Sequence, residues 1–129
     1  MAAAEADIRA AVADARRDVP VERARTVVGV AGTVTTVAAL ALGLDTYDPA
    51  RVHHSRIRAA DVRTTAERLL GSTRAERSRQ AVIQPGRVDV IGAGALILRL
   101  LVEETGATEV VVSESDILDG LAWSVVEKG

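Results

Sequence analysis

From Thr26 to Leu44 the chain reads TVVGVAGTVTTVAALALGL, a run without a single charge. A stretch like this has to be hidden from water. Its length is close to the roughly 20 residues of a membrane-spanning helix. Its composition argues otherwise, because it holds four Thr and three Gly and opens on β-branched residues that suit a strand. The pattern predicts a buried strand, Thr26–Ala31, apolar on both faces as in a covered sheet. Gly32 then turns the chain into a helix over Thr33–Ala41, and Gly43 follows as a C-terminal glycine.

The remaining elements can be placed around that unit. An Ala-rich helix is expected over Ala4–Arg17, with Ile8, Ala11, Val12 and Ala15 on one face, stopped by Pro20. Asp48-Pro49 marks a turn or a short helix start, and Arg51–Ile57 alternates weakly, as an edge strand does. Ala60–Leu70 is amphipathic through Val62, Ala66, Leu69 and Leu70. Thr73-Arg74-Ala75-Glu76 fits a capping box that opens a short helix. After Pro85-Gly86, the segment Val88–Thr105 is the longest helix, with Val88, Ile91, Ala95, Leu98, Leu101 and Val102 spaced for one buried face. A short strand over Glu109–Val112 and a helix over Asp116–Glu127, N-capped by Ser115, complete the chain. Strands separated by helices imply parallel pairing, hence an α/β fold with a small, mostly parallel sheet covered by helices. So few strands leave unpaired edges, which invite another chain or a missing segment.

Composition narrows the chemistry. Sixteen basic and 18 acidic residues leave a net charge of −2, so a phosphate ligand must be held by a local site and not by a global basic field. The absence of cysteine excludes disulfides, thiolate metal sites and cysteine nucleophiles, and fits a cytoplasmic protein. The acidic N-terminus lacks the order of a signal peptide. With no Phe, one Trp and one Tyr, the core must be packed from Val, Leu, Ile and Ala.

Four features could carry function. In Gly29-Val30-Ala31-Gly32-Thr33, free backbone N–H groups and a positive helix end can converge on a ligand, although a turning glycine explains the same pattern. Gly92 and Gly94 lie inside a helix, where each costs about 1 kcal/mol against alanine, and so point to close packing of a helix or a ligand. Arg87 lies at a helix start, where the macrodipole disfavours a cation; it reaches an anion, pairs with Asp89, or stays in solvent. His53 and His54, read as neighbours on a strand, point to opposite faces and would not share a metal ion. The acidic stretch Ser113–Asp116, with Asp119, reads as helix-start chemistry, and no catalytic triad or nucleophile elbow is present.

Three segments together are recognisable: TVVGVAGTVTTVAALALGLDTYDPARVHHSRI (Thr26–Ile57), QPGRVDVIGAGALIL (Gln84–Leu98) and VVVSESDILDGLAWS (Val110–Ser124). In order and spacing they resemble the second half of a Ppx/GppA phosphatase domain. The resemblance implies an actin-like, ribonuclease H-like fold of the sugar kinase/Hsp70/actin kind, with residues 1–129 forming a single partial domain, most of its second lobe. Residues 1–24 would be a leading helix and linker. It implies hydrolysis of a terminal phosphoanhydride of inorganic polyphosphate or guanosine pentaphosphate, with Mg²⁺ as cofactor. On that footing Gly29, Gly32, Thr33 and Arg87 become phosphate-binding candidates, and Gly92 and Gly94 helix-packing positions at a hinge. The family's two phosphate loops are built on Asp-x-Gly, which occurs nowhere here, and its catalytic glutamate belongs to the other half. No catalytic residue is therefore assigned to this chain. The expected partners are polyphosphate or a guanosine nucleotide, and a complementing N-terminal half or a second copy. Neither DNA, RNA nor a membrane is expected. The alternative is a non-catalytic half-lobe that self-associates through its sheet edge.

Overall fold

The computed structural model describes residues 1–126. The uncharged run divides as its composition suggests, into a strand and a buried helix. Strand β1 covers Val27–Gly29 and helix α2 covers Ala31–Ala41, preceded by α1 over Ala2–Ala15. No helix among the described residues is long and apolar enough to cross a membrane. Thr35, Thr36, Val37, Ala38, Ala39 and Leu40 are all buried. The Thr36 hydroxyl is satisfied by donating to the Gly32 carbonyl, 2.7 Å away, which lets a polar side chain sit in the core. The chain reverses one residue earlier than expected. Ala31, not Gly32, takes the left-handed conformation, with φ of 67°, and Gly32 already lies in the first turn of α2.

Short helix α3, Pro49–Val52, opens with Asp48 accepting from the N–H groups of Ala50 and Arg51, and proline occupies the first turn, where a missing N–H costs nothing. Strand β2 is Arg56–Arg58, followed by α4 (Ala59–Gly71) and α5 (Arg74–Ser78). Thr73 and Glu76 form the expected reciprocal capping box: the Glu76 N–H donates to Thr73 Oγ1 at 3.2 Å, and the Thr73 N–H donates to Glu76 Oε2 at 2.7 Å. A 3₁₀ turn spans Pro85–Arg87, and α6 runs from Ile91 to Thr105. Val88 therefore precedes the helix, although its side chain is buried. Gly106 ends α6 in the left-handed conformation, φ 67°. Strand β3, Glu109–Val112, leads to α7, Ile117–Val126. Its cap is Asp116, whose carboxylate accepts the Leu118 N–H at 2.8 Å while Asp119 accepts the Asp116 N–H at 2.7 Å; Ser115 does not cap it. The expected end at Glu127 lies outside the described residues.

The three strands are ordered β1-β3-β2. β1 pairs in parallel with β3, Val27 opposite Val110, whereas β2 runs antiparallel to β3, Ile57 opposite Val110. The sheet is thus mixed, not mostly parallel. The long connection from β2 to β3, through α4, α5 and α6, would allow a pair of either direction.

Val110, Val112 and Ile57 face the helices and are buried with Val37 and Ala38 of α2, Val62 of α4 and Leu98 of α6. The helices cover only this side. On the other side Val28 is 57% exposed, so β1 is not sandwiched as its run of valines suggested. Helix α6 is buried on more than one flank. Leu96 and Leu100 are covered, while Leu101, placed by periodicity on the core face, is half-exposed. The cause is α1, which packs against α6 and is tied to it by ion pairs. Arg9 bonds Glu103 at 2.9 Å and also reaches Glu104, and Arg99 bonds Glu5 at 2.9 Å.

Candidate functional site

A polar cleft of about 210 Å³ opens at the N-terminal end of α2. Ala31, Gly32, Thr35 and Thr36 form one wall; Gln84 and Arg87 come from the 3₁₀ turn before α6, and Tyr47, Glu114 and Asp116 complete it. The N-cap residue of α2 is Val30, whose side chain cannot cap. The first N–H groups of that helix are therefore left without a side-chain acceptor at its positive end.

The Arg87 guanidinium lies directly over Gly32. A Cβ built on Gly32 would come within 1.6 Å of Arg87 Nη1. Glycine is thus required here for the approach of a side chain. Asp89, a possible partner for Arg87 from sequence, is taken by Arg74 at 2.8 Å. No ion pair among the described residues involves Arg87. Nor does Arg87 stand at the start of its own helix, since α6 begins at Ile91; the helix end it faces is that of α2.

Glu114 is the counter-charge in the cleft and is held from two sides. The Tyr47 hydroxyl donates to its carboxylate, and its own N–H donates to His53 Nδ1 at 3.0 Å. Burial, then the hydrogen bond to Glu114, raises the Tyr47 phenol above its ordinary pKa, while Thr35 and the positive charge of Arg87 oppose the shift.

The other candidates fall elsewhere. Gly29 is buried beneath Val34, whose Cγ1 would be 2.5 Å from an added Cβ, so its immediate neighbour is a core side chain. Thr33 points away from the cleft and packs on Gly94, where an added Cβ would meet its Oγ1 at 2.7 Å. Gly94 is what lets α2 and α6 approach. At Gly92 an added Cβ would make only ordinary contact, 3.7 Å from the Leu69 carbonyl oxygen of α4.

His53 and His54 are not on a strand. They follow α3 in a turn, with His54 at φ 61°, and their rings stack with centroids 3.7 Å apart. Opposite faces of a strand were therefore the wrong reason to separate them. His53 Nδ1 is occupied by the Glu114 N–H, and the described residues contain no cluster of three or more His, Asp or Glu able to hold a metal. Mg²⁺ does not fit the cleft as built from this chain. Glu114 is bonded to Tyr47, Asp116 caps α7, and a guanidinium shares the space.

Sequence reasoning reached Gly32 and Arg87 and missed Tyr47, Gln84 and Glu114. The only tyrosine of the chain, beside Asp48-Pro49, was the available signal.

Comparisons with known proteins agree with one another. The sequence model of the Ppx/GppA phosphatase family matches residues 1–128. Exopolyphosphatase 2 of Mycobacterium tuberculosis is 47% identical over 122 residues, which are 92% of this chain and 38% of that protein. The crystal structure of an exopolyphosphatase-like protein superposes with a TM-score of 0.95 at 35% identity, covering 97% of this chain and 42% of that one. The Ppx/GppA family member of Aquifex aeolicus gives 0.74 at 31% identity, over 80% of this chain and 34% of that one. The chain thus spans about two fifths of the length of its matched relatives. With the match running from its first helix through its last, this chain belongs to the Ppx/GppA phosphatase family.

Proposed function

We propose that the chain forms most of the second lobe of an actin-like phosphoanhydride hydrolase, acting on inorganic polyphosphate or guanosine pentaphosphate, and that it binds the phosphate chain without hydrolysing it unaided. The observation that carries this reading is the convergence of the Arg87 guanidinium with the uncapped N-terminus of α2 over Gly32. Two positive ends directed into one cleft, with Glu114 as the facing carboxylate, are stabilised by an anion that accepts from both. Arg87 would bind a phosphate oxygen and the Gly32 backbone would let it come close. Gly29 and Thr33 would act one step removed, by seating α2 against β3 and α6. Gly94 would set the packing of α6 against α2, where the lobes of such a fold hinge, while Gly92 faces α4 with room for a methyl.

Cleavage needs more. The described residues of the cleft provide neither a free carboxylate to orient water nor a metal cage, so positioning and charge neutralisation are only partly available. The complementing half of the domain would supply them, Mg²⁺ included.

Calorimetric titration with tripolyphosphate and with guanosine pentaphosphate tests the binding. Arg87→Ala should weaken it about tenfold to a hundredfold, as expected for a lost hydrogen bond to a charged group. Equal binding by the variant would remove Arg87 from the site. Phosphate release by the chain alone, in the presence of Mg²⁺, should not exceed the blank; sustained turnover would mean that this lobe holds a complete site.

A further inference from the structure

Among the described residues three charged side chains line the polar cleft, and two of them carry the sign that repels phosphate. Arg87 is the cation; Glu114 and Asp116 are the carboxylates. Asp116 is engaged as the cap of α7, accepting the Leu118 N–H through Oδ1. Glu114 is held too, but through one carboxylate oxygen only. The Tyr47 hydroxyl donates to its Oε1, and the Glu114 N–H donates to His53 Nδ1; its Oε2 accepts no hydrogen bond among the described residues. No ion pair among those residues involves Arg87 or Glu114. Opposite charges thus line one cleft of about 210 Å³ without closing on each other.

We infer that Glu114 is a specificity-determining residue: its Oε2 accepts from the P–OH of a singly protonated phosphate end and turns away oxyanions with no hydrogen to give. The inference rests on the phosphate-binding reading of this cleft. A carboxylate can only accept. Against a fully ionised phosphate it sets lone pair against lone pair and charge against charge; with a P–OH it makes a charge-assisted hydrogen bond. Arg87 and the first N–H groups of α2 can only donate, and they take the ionised oxygens of the same group. Donors and acceptor together therefore call for a ligand that carries both kinds of oxygen. The end of a phosphate chain, whose second ionisation falls at about pH 6, offers both near neutrality. An interior or ring phosphate carries no hydrogen there. Turning the carboxylate out of the cleft to admit such a group would break the Tyr47 bond, so the rejection is built into the cleft.

Calorimetric titration without divalent metal tests this, with linear tripolyphosphate and cyclic trimetaphosphate as the probes. The ring has no chain end, so it also reports whatever pH does to the protein itself. The titratable and charged groups facing Glu114 are Tyr47, His53, Arg87 and Asp116. From pH 8 to pH 6 the affinity for tripolyphosphate relative to the ring should rise about tenfold, although attraction to Arg87 alone would make it fall as the chain end loses charge. At pH 8 binding should take up about one proton per tripolyphosphate and none per ring, read from the heats in buffers of different ionisation enthalpy. Glu114→Gln keeps an oxygen for the Tyr47 hydroxyl and offers an N–H toward the ligand. It should abolish the proton uptake and flatten or reverse the pH trend while the circular dichroism stays native. Phosphate binding with no proton uptake and no rise in the ratio would overturn the role of Glu114 and leave the phosphate site standing. So would a Glu114→Gln variant that behaves as the wild type does. Failure to bind either probe would overturn the phosphate-binding reading, and this inference with it.

Discussion

Gly92 and Gly94 sit one residue apart on the same helix and call for opposite treatment. A methyl at Gly92 meets the α4 backbone at 3.7 Å, an ordinary contact. Gly92→Ala should therefore be neutral or raise stability by up to about 1 kcal/mol through helix propensity. A methyl at Gly94 meets Thr33 at 2.7 and 2.8 Å, and relief requires α2 and α6 to separate. Gly94→Ala should cost about 1–3 kcal/mol, and urea denaturation of both variants reads the contrast directly. In the cleft, Tyr47→Phe removes the hydroxyl that holds Glu114 and should lower stability by about 1 kcal/mol. The local part of this site was legible in sequence, because a glycine before a helix and an arginine before another are local patterns. The Tyr47–Glu114 contact was not: it joins positions far apart along the chain, and no periodicity marks such a pair.

Single elements show where local rules suffice. The capping box of α5 is spelled out by Thr73 and Glu76, and its pH dependence follows from its geometry. The Thr73 backbone N–H, then its hydroxyl, holds the Glu76 carboxyl below its ordinary pKa of 4.5. A depressed folded-state pKa contributes stability that is present above the unfolded value and lost as the pH falls through the folded one. Acid should therefore destabilise the native chain more than Glu76→Gln below about pH 4.5, measured as melting temperature against pH. At neutral pH, Thr73→Ala should cost about 0.5–2 kcal/mol. Strand β3 and the Gly106 terminus of α6 were equally readable, since alternation and a helix-ending glycine act within a few residues. The direction of β2 was not, because a connection as long as the one from β2 to β3 permits either pairing and strand sequence alone does not choose. The exposure of Val28 was not either: a β-branched run looks the same whether one face of its sheet is covered or two.

Across the whole molecule, α1 is attached less by its apolar face, which is only half covered, than by the ionic belt on α6. Arg99 is the most buried member, its side chain 14% exposed beside Glu5, and its Nε has no hydrogen-bond partner among the described residues. Glu5→Gln should loosen α1 by about 1 kcal/mol, and 1 M salt should have a similar effect on the exposed Arg9 pairs. Hydrogen exchange of the α1 amides should then quicken while the amides of α4 and β3 stay protected. The order of strands, β1-β3-β2, sets how such a chain must fold. The middle strand is the last of the three in sequence, and β1 and β2 do not touch each other. Neither can begin a sheet until β3 arrives, so no early hairpin is available and the ladder closes in one long-range event. An early state would hold α2, α4 and α6 in contact around two strands with no partners, a species open to association with its own kind. The rate-limiting barrier should accordingly lie in placing β3, and substitutions at Val110 and Val112 should slow refolding more than they speed unfolding.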